Sequence, residues 1–236
     1  MSPPLAIVSA MHEELRALLP LVQAARVVRL GGREFHHGQM HGQPVVLALS
    51  GIGKVAASAT AVLMMQAFDA RALVFTGVAG GLAPGVRVGD VVVARELLHH
   101  DMDASPLFPR FEVPLTGRAR FAADAVLADA LAVAAASAGA PRVHEGLIVS
   151  GDSFVASAAQ SAALRALLPD ALAVEMEGAA AAQVCADFAR PFAVVRTISD
   201  RADDDAHVDF AAFIQHTASA TTRAIVEHLM VHTRTA

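Results

Sequence analysis

Short apolar runs of strand length alternate along this chain with longer stretches of helical character. Leu5–Ala10 is mostly apolar, and a helix pattern from Glu13 follows that Pro20 closes. Glu34–Met40 and Pro44–Leu49 flank His41-Gly42-Gln43 and predict a hairpin. Gly53–Phe68 is Ala-rich and free of internal breakers, which predicts a helix. Ala72–Thr76, ending at Gly77, and Asp90–Ala94 predict strands. Asp101–Thr116 carries three prolines and two phenylalanines without periodicity and predicts a long loop of the kind that often serves function. Beyond it the pattern predicts a helix over Arg118–Gly139 and a strand over Val143–Ser150. A helix over Ser157–Leu168 follows, its Ser157-x-x-Gln160 start fitting a capping box. Ala171–Val174 predicts a strand, Glu177–Phe188 a helix, Phe192–Ile198 a strand and Asp209–His232 a closing helix.

This alternation predicts an α/β fold, and the hairpin favours a mixed sheet over an all-parallel one. No repeat or linker-like stretch divides residues 1–236, so one catalytic domain is expected. Composition narrows the class. Hydrophobic residues make up 55% and charged ones 17%, which describes a compact globule rather than a disordered chain. No run approaches the roughly 20 apolar residues that span a bilayer. Met1-Ser2-Pro3-Pro4 has no basic residues ahead of an apolar stretch, so no secretory signal is expected. The one cysteine, Cys185, sits in an apolar stretch as core filler and suits a reducing, cytoplasmic setting. A net charge of −5 without a Lys- or Arg-rich block argues against nucleic acid, and the absence of Trp and Tyr removes the usual stacking platforms.

Several motifs fail on inspection. Gly51-Ile52-Gly53-Lys54 lacks the earlier glycine of a phosphate-cradling loop, since Ala48 stands there, and Val55 fills the Ser/Thr slot. Gly77-Val78-Ala79-Gly80-Gly81 places its second glycine one residue too late for dinucleotide binding. There is no Gly-x-Ser-x-Gly elbow, and the 11 histidines include no His-Glu-x-x-His pair. His99-His100-Asp101-x-Asp103 has metal-ligating residue types but no matched distant ligand, so no metal is expected. What survives is a set of carboxylates at strand ends. Glu14 follows Leu5–Ala10, Glu175 and Glu177 follow Ala171–Val174, and Asp200 follows Phe192–Ile198. Each alone reads as a helix cap or surface charge. Together with Gly77–Gly81 at a fourth strand end they describe one crevice at the carboxyl edge of the sheet, where open α/β folds bind ligands.

Seven blocks, in order over most of the chain, carry a resemblance. They are Ser9-Ala10-Met11-His12-Glu13-Glu14, Ser50-Gly51-Ile52-Gly53-Lys54-Val55-Ala56, Thr76-Gly77-Val78-Ala79-Gly80-Gly81-Leu82 and Val88-Gly89-Asp90-Val91-Val92, then Ser150-Gly151-Asp152-Ser153-Phe154, Val174-Glu175-Met176-Glu177 and Val195-Arg196-Thr197-Ile198-Ser199-Asp200. The chain resembles the nucleoside phosphorylase/nucleosidase superfamily, and in it the bacterial 5′-methylthioadenosine/S-adenosylhomocysteine nucleosidases. The resemblance implies a three-layer αβα sandwich with a mixed central sheet. It gives Asp200 the role of general acid to adenine N7 with Ser199 beside it, and Glu14 that of activating water. Glu177 would accept the ribose hydroxyls, Met176 would pack below the sugar, Phe154 would stack on adenine and Val155 would offer its backbone to the base edge. Phe210 would cover the 5′ substituent, and Ile52, Val78, Ala79 and Gly80 would line the substrate. It further implies a homodimer in which the Asp101–Thr116 loop reaches the neighbouring subunit's site.

The chemistry agrees with these roles. N-glycosidic cleavage develops a cationic sugar that anions stabilise, and adenine leaves only when an acid protonates the ring, so Asp200 must carry or relay a proton. Burial against apolar neighbours would favour its protonated form. A small nucleoside is the expected partner, and no step needs a metal or cofactor. A phosphorylase would need several arginines for its dianion, but Glu14 occupies the early segment, Arg16 comes after it, and Arg71 stands at the far end of Ala72–Phe75. Val78 departs from the serine some nucleosidases place there. Phe210, Phe213, Phe108 and Phe111 suggest an apolar 5′ pocket. Phosphorolysis, a futalosine-type nucleosidase and a non-catalytic nucleoside binder remain the alternatives. Arg196, in an apolar strand, needs a carboxylate partner, and Glu175 is the candidate.

Overall fold

The computed structural model describes residues 2–203, 206, 210, 213 and 219–232. Four parallel strands form its centre: β1 (Leu5–Ser9), β4 (Gln43–Leu49), β5 (Ala72–Gly81) and β10 (Phe192–Asp200). Their side chains alternate between two cores, as the period-2 geometry of a strand requires. Ala6, Val8, Leu73, Phe75, Phe192 and Val194 join the core under helices α2 (Lys54–Phe68) and α5 (Gly178–Asp187). Leu5, Ile7, Ala72, Val74, Ala193 and Val195 join the opposite core, under α1 (His12–Leu18), α3 (Ala125–Ser137) and α6 (Ser219–His232). Burial on both faces is why these strands read as unbroken apolar runs. Helices therefore cover both sides of a mixed sheet, the αβα arrangement that the resemblance implies.

The sheet also closes on itself. Strands β6 (Val91–His99), β8 (Val143–Ser150) and β9 (Ala171–Glu175) run parallel to one another. β6 pairs antiparallel with β10 while β9 pairs antiparallel with β5, and β5 pairs with β10, which completes a ring. β9 meets β5 only at Gly80↔Val174 and Gly81↔Ala173. That short overlap brings the carboxyl end of β9 beside the carboxyl half of β5, although the two run in opposite directions.

Differences from the predicted elements have local causes. The hairpin forms as β3 (Arg33–Met40) and β4 around a two-residue turn, His41-Gly42, with positive φ at both positions. Ahead of it lies an unpredicted strand, β2 (Gln23–Leu30), an edge strand exposed at every residue but the half-buried Leu30, which so leaves no apolar pattern. The predicted helix from Arg118 is corrected: Arg120–Ala122 forms β7 against β6, burying Phe121 between exposed neighbours. α3 then starts at Ala125, where Asp124 accepts the Leu127 N–H at 2.9 Å. α4 (Ala158–Leu167) begins as predicted at Ser157, whose Oγ accepts the Gln160 N–H, while the Gln160 side chain turns to Ser157 Oγ and the Ala156 N–H. The predicted start of the last helix at Asp209 lies outside the described residues.

One buried ion pair spans the ring. Arg196 on β10 is 1% exposed, and its Nη2 lies 2.5 Å from Glu175 Oε2 at the end of β9. The guanidinium stacks 4.6 Å from the Phe75 ring centroid. It occupies the space above Gly77, where a Cβ would stand 2.9 Å from Nη1, so a side chain at 77 and Arg196 exclude each other. Arg196→Met would leave Glu175 charged, buried and without its cation, and a loss of about 3–5 kcal/mol in urea unfolding is expected. A loss below about 1 kcal/mol would show that the pair does not hold the ring together.

Candidate active site

A cavity of about 390 Å³ opens where β1, β5, β9 and β10 end. The catalytic and substrate-contacting residues that the resemblance implies all line it. Glu14 comes from the first turn of α1; Ile52 from the turn before α2; Val78, Ala79 and Gly80 from β5; and Phe154 and Val155 from the segment after β8. Met176 and Glu177 enter from the β9–α5 turn, Ser199 and Asp200 from the end of β10, and Phe210 from beyond it. The strand ends converge as the pattern of carboxylates suggests.

Glu14 is fully buried. Its Oε2 accepts the Met11 N–H at 3.2 Å, closing the first turn of α1, while Oε1 has no hydrogen-bond partner among the described residues. One oxygen thus serves the helix, and the residue lines the cavity. Burial pushes the carboxyl up to about 7, against the attraction of Arg196 and the Met11 N–H. Glu177 accepts the Gly53 N–H at 2.8 Å. Its carboxyl also rises to about 7, through burial first and then the neighbouring Glu175 charge, with Arg196 and the Gly53 N–H opposing. Asp200, 1% exposed, accepts from Ser199 Oγ and from the Ala202 N–H, each at 2.8 Å.

Glu175 belongs to the scaffold. Besides Arg196 it accepts the Gly178 N–H at 2.8 Å, the Glu177 N–H at 3.2 Å and the Ser150 hydroxyl. Ser150 Oγ in turn accepts the Ala179 N–H at 2.8 Å. Glu175 and Ser150 together cap the start of α5, which carries Glu177 at its N-cap. Arg196 is the one cation lining the cavity among the described residues, and Glu175 holds it.

The apolar end comprises Met11, Val78 and Phe210 packed on Phe213. Phe154 meets Phe210 edge-on at 5.7 Å. Met11 was missed although its block was recognised, because a methionine at a helix start looks like ordinary packing. Phe108 and Phe111, expected at this pocket, do not line it; Phe111 packs instead beside the cluster of Leu82, Leu98 and Val155. In the rejected metal motif, His99 Nε2 meets Gln183 Oε1 at 3.1 Å and Asp101 binds Lys54.

The profile of the Phosphorylase superfamily matches residues 4–230. Within that class, a Shewanella denitrificans 5′-methylthioadenosine/S-adenosylhomocysteine nucleosidase is 39% identical over 208 residues, covering 88% of this chain and 90% of the relative. A Neisseria meningitidis nucleosidase of the same name, solved with methylthio-immucillin-A, superposes with a TM-score of 0.92 at 38% identity, over 97% of this chain and 98% of that one. The Helicobacter pylori futalosine hydrolase structure is also similar, with a TM-score of 0.89 at 34% identity over 98% and 97%. The chain belongs to the phosphorylase superfamily and, within it, to the family of the 5′-methylthioadenosine/S-adenosylhomocysteine nucleosidases.

The raised Glu14 pKa has a stability consequence. The folded carboxyl binds its proton more tightly than the unfolded one, whose reference value is 4.5, so stability falls as pH rises from there through about 7. Glu14→Gln removes that cost. The variant is expected to be more stable than the parent by about 2–3 kcal/mol at pH 8, with the difference vanishing near pH 4. Denaturant unfolding at the two pH values measures it, and a variant destabilised at pH 8 would contradict the electrostatic picture.

Proposed function

We propose that this protein hydrolyses the N-glycosidic bond of 5′-methylthioadenosine and S-adenosylhomocysteine, releasing adenine and the thioribose product. The observation that carries the reading is Glu14: a buried carboxyl lining the cavity, with one oxygen that has no hydrogen-bond partner among the described residues and a pKa pushed up to about 7 by burial. Such a group can take a proton from water near neutral pH. It would repel a phosphate dianion. The arginines a phosphorylase would need are committed elsewhere, since Arg196 holds Glu175, Arg71 bonds Gln43 and Arg16 is exposed.

In this reading adenine sits against Phe154 and Val155. Asp200, oriented by Ser199 and the Ala202 N–H, delivers a proton to adenine N7 as the bond to C1′ breaks. Glu177 accepts the ribose hydroxyls, with Met176 below the sugar, and its charge stabilises the cationic ribose as that charge develops. Water attacks C1′ and gives its proton to Glu14, so the sugar leaves with a hydroxyl in place of the base. Ile52, Ala79 and Gly80 shape the walls. Val78, with Met11, Phe210 and Phe213, makes the 5′ end apolar and suits a thioether better than a charged group.

The test is adenine release from methylthioadenosine with and without phosphate, alongside adenosylhomocysteine, inosine and futalosine. Phosphate-independent release is expected, with Asp200→Asn and Glu14→Gln each slower by about 10²–10⁴-fold. A sugar 1-phosphate product would establish phosphorolysis. Preference for futalosine would move the substrate assignment, and tight binding without turnover would indicate a sensor.

The working unit in this proposal is a cytoplasmic homodimer built from one-domain subunits. The buried Cys185, its thiol pushed up to about 12, suits a reducing compartment, and no helix among the described residues is long and apolar enough to cross a membrane. Val55 on α2 is 82% exposed, and Leu107 and Leu115 in the 101–116 loop are 84% and 90% exposed, apolar surface that a partner copy would cover. Sedimentation is expected to show a dimer that Val55→Asp with Leu115→Asp shifts toward monomer. A fully active parental monomer would remove this part.

A further inference from the structure

Two successive backbone amides open α2, and carboxylates from two other parts of the chain hold them. The Gly53 N–H donates to Glu177 Oε1 at 2.8 Å, and the Lys54 N–H donates to Asp152 Oδ1 at 2.8 Å. Gly53 is the N-cap but has no side chain to cap with. Asp152, from the segment between β8 and α4, supplies the acceptor that a capping residue would, where the helix dipole also favours a negative charge. The two amides share the Gly53 Cα. Its φ is +95°, and a Cβ there would lie 3.1 Å from Asp152 Oδ1, so the backbone at this point is fitted against that carboxylate. Holding one peptide plane restrains the other.

Asp101 closes a ring around this contact. Its Oδ1 accepts Lys54 Nζ at 2.6 Å, its Oδ2 accepts the Asp152 N–H at 3.0 Å, and Lys54 Nζ lies 3.9 Å from Asp152 Oδ2. Burial opposes the charge on Asp101, but Lys54 and the Asp152 N–H outweigh it and hold the carboxyl below its usual range. None of the three residues lines the cavity. The ring joins the turn that carries Ile52 and Gly53, the root of the 101–116 loop, and the segment that carries Phe154 and Val155.

We infer that Asp152 is a positioning residue for the nucleoside site, fixing the Gly53 amide on Glu177 through the adjoining Lys54 amide and fixing Phe154 through its own segment. This rests on the reading of Glu177 as the ribose acceptor. Glu177 faces Glu175, which raises its pKa, and Arg196 and the Gly53 N–H, which lower it; Glu14 also lies within electrostatic range. Disordering the Gly53 N–H removes a lowering influence, so the Glu177 proton would leave at higher pH.

The experiment compares Asp152→Ala and Asp152→Asn with the parent, taking kcat and KM for methylthioadenosine from pH 6 to 9 and the Tm of each. Asparagine keeps an oxygen that can accept from the Lys54 amide, and alanine does not. For Asp152→Ala, KM is expected to rise about tenfold with a smaller change in kcat. The acidic limb of kcat/KM should move to higher pH, and Asp152→Asn should recover most of both effects. Parental KM and limb in Asp152→Ala would overturn the inference. So would equal impairment of both variants with an unmoved limb, which would mark a scaffold role only. A parent that releases no adenine would defeat the proposed activity instead, and nucleoside affinity of the same three proteins by calorimetry would then decide the Asp152 claim.

Discussion

The buried pair between Arg196 and Glu175 is the interaction on which the rest of the site depends. Three glutamates and one guanidinium share the floor of the cavity, and the contact at 2.5 Å gives that cation to Glu175. Glu14 and Glu177 feel Arg196 only as a distant attraction, which burial outweighs in both, so both carboxyls titrate near 7. Glu175, so paired, also accepts the amides that begin α5 and thereby sets Glu177 in place. The closed sheet makes the pair possible, because β5 offers a bare Gly77 beneath the guanidinium where β9 and β10 flank it.

Parts of this were legible in the sequence, for physical reasons. Strands buried on both faces stand out as apolar runs, which is why β1, β5, β9 and β10 could be placed, and with them the carboxylates that follow β1, β9 and β10. β2 could not, because an edge strand exposed at all but its last residue has no pattern to show. β7 is three residues long, and Asp124, two residues beyond its end, already caps α3. Ring closure was invisible, since it depends on pairings between residues far apart in the chain. The pairing of Arg196 with Glu175 was foreseeable, because an arginine in an apolar strand must find a carboxylate. The raised pKa values of Glu14 and Glu177 were not, because they arise from burial and mutual placement rather than from residue type. The Lys54–Asp101–Asp152 ring was likewise hidden: each member is an ordinary surface charge until the three segments meet.

Glu14 shows how structure and chemistry compete in one residue. Its Oε2 completes a helix turn, as a structural carboxylate would, while its Oε1 has no hydrogen-bond partner among the described residues. Charging it there works against the fold, and in the proposed reading that charged form is the base. Val78 fits the same division of labour at the other end, where an apolar side chain joins Met11 and the aromatic pair and leaves the polar work to the carboxylates.

The central claim is that one guanidinium, taken by Glu175, leaves Glu14 and Glu177 as two buried carboxyls that change charge near neutrality. A carbon-13 NMR titration of protein labelled at the glutamate side-chain carboxyl measures this directly, with Glu14→Gln and Glu177→Gln assigning the signals. Two carboxyls with midpoints near pH 7 are expected, each absent from the corresponding variant. Titration of every glutamate within the ordinary range, at or below about 4.5, would contradict the account.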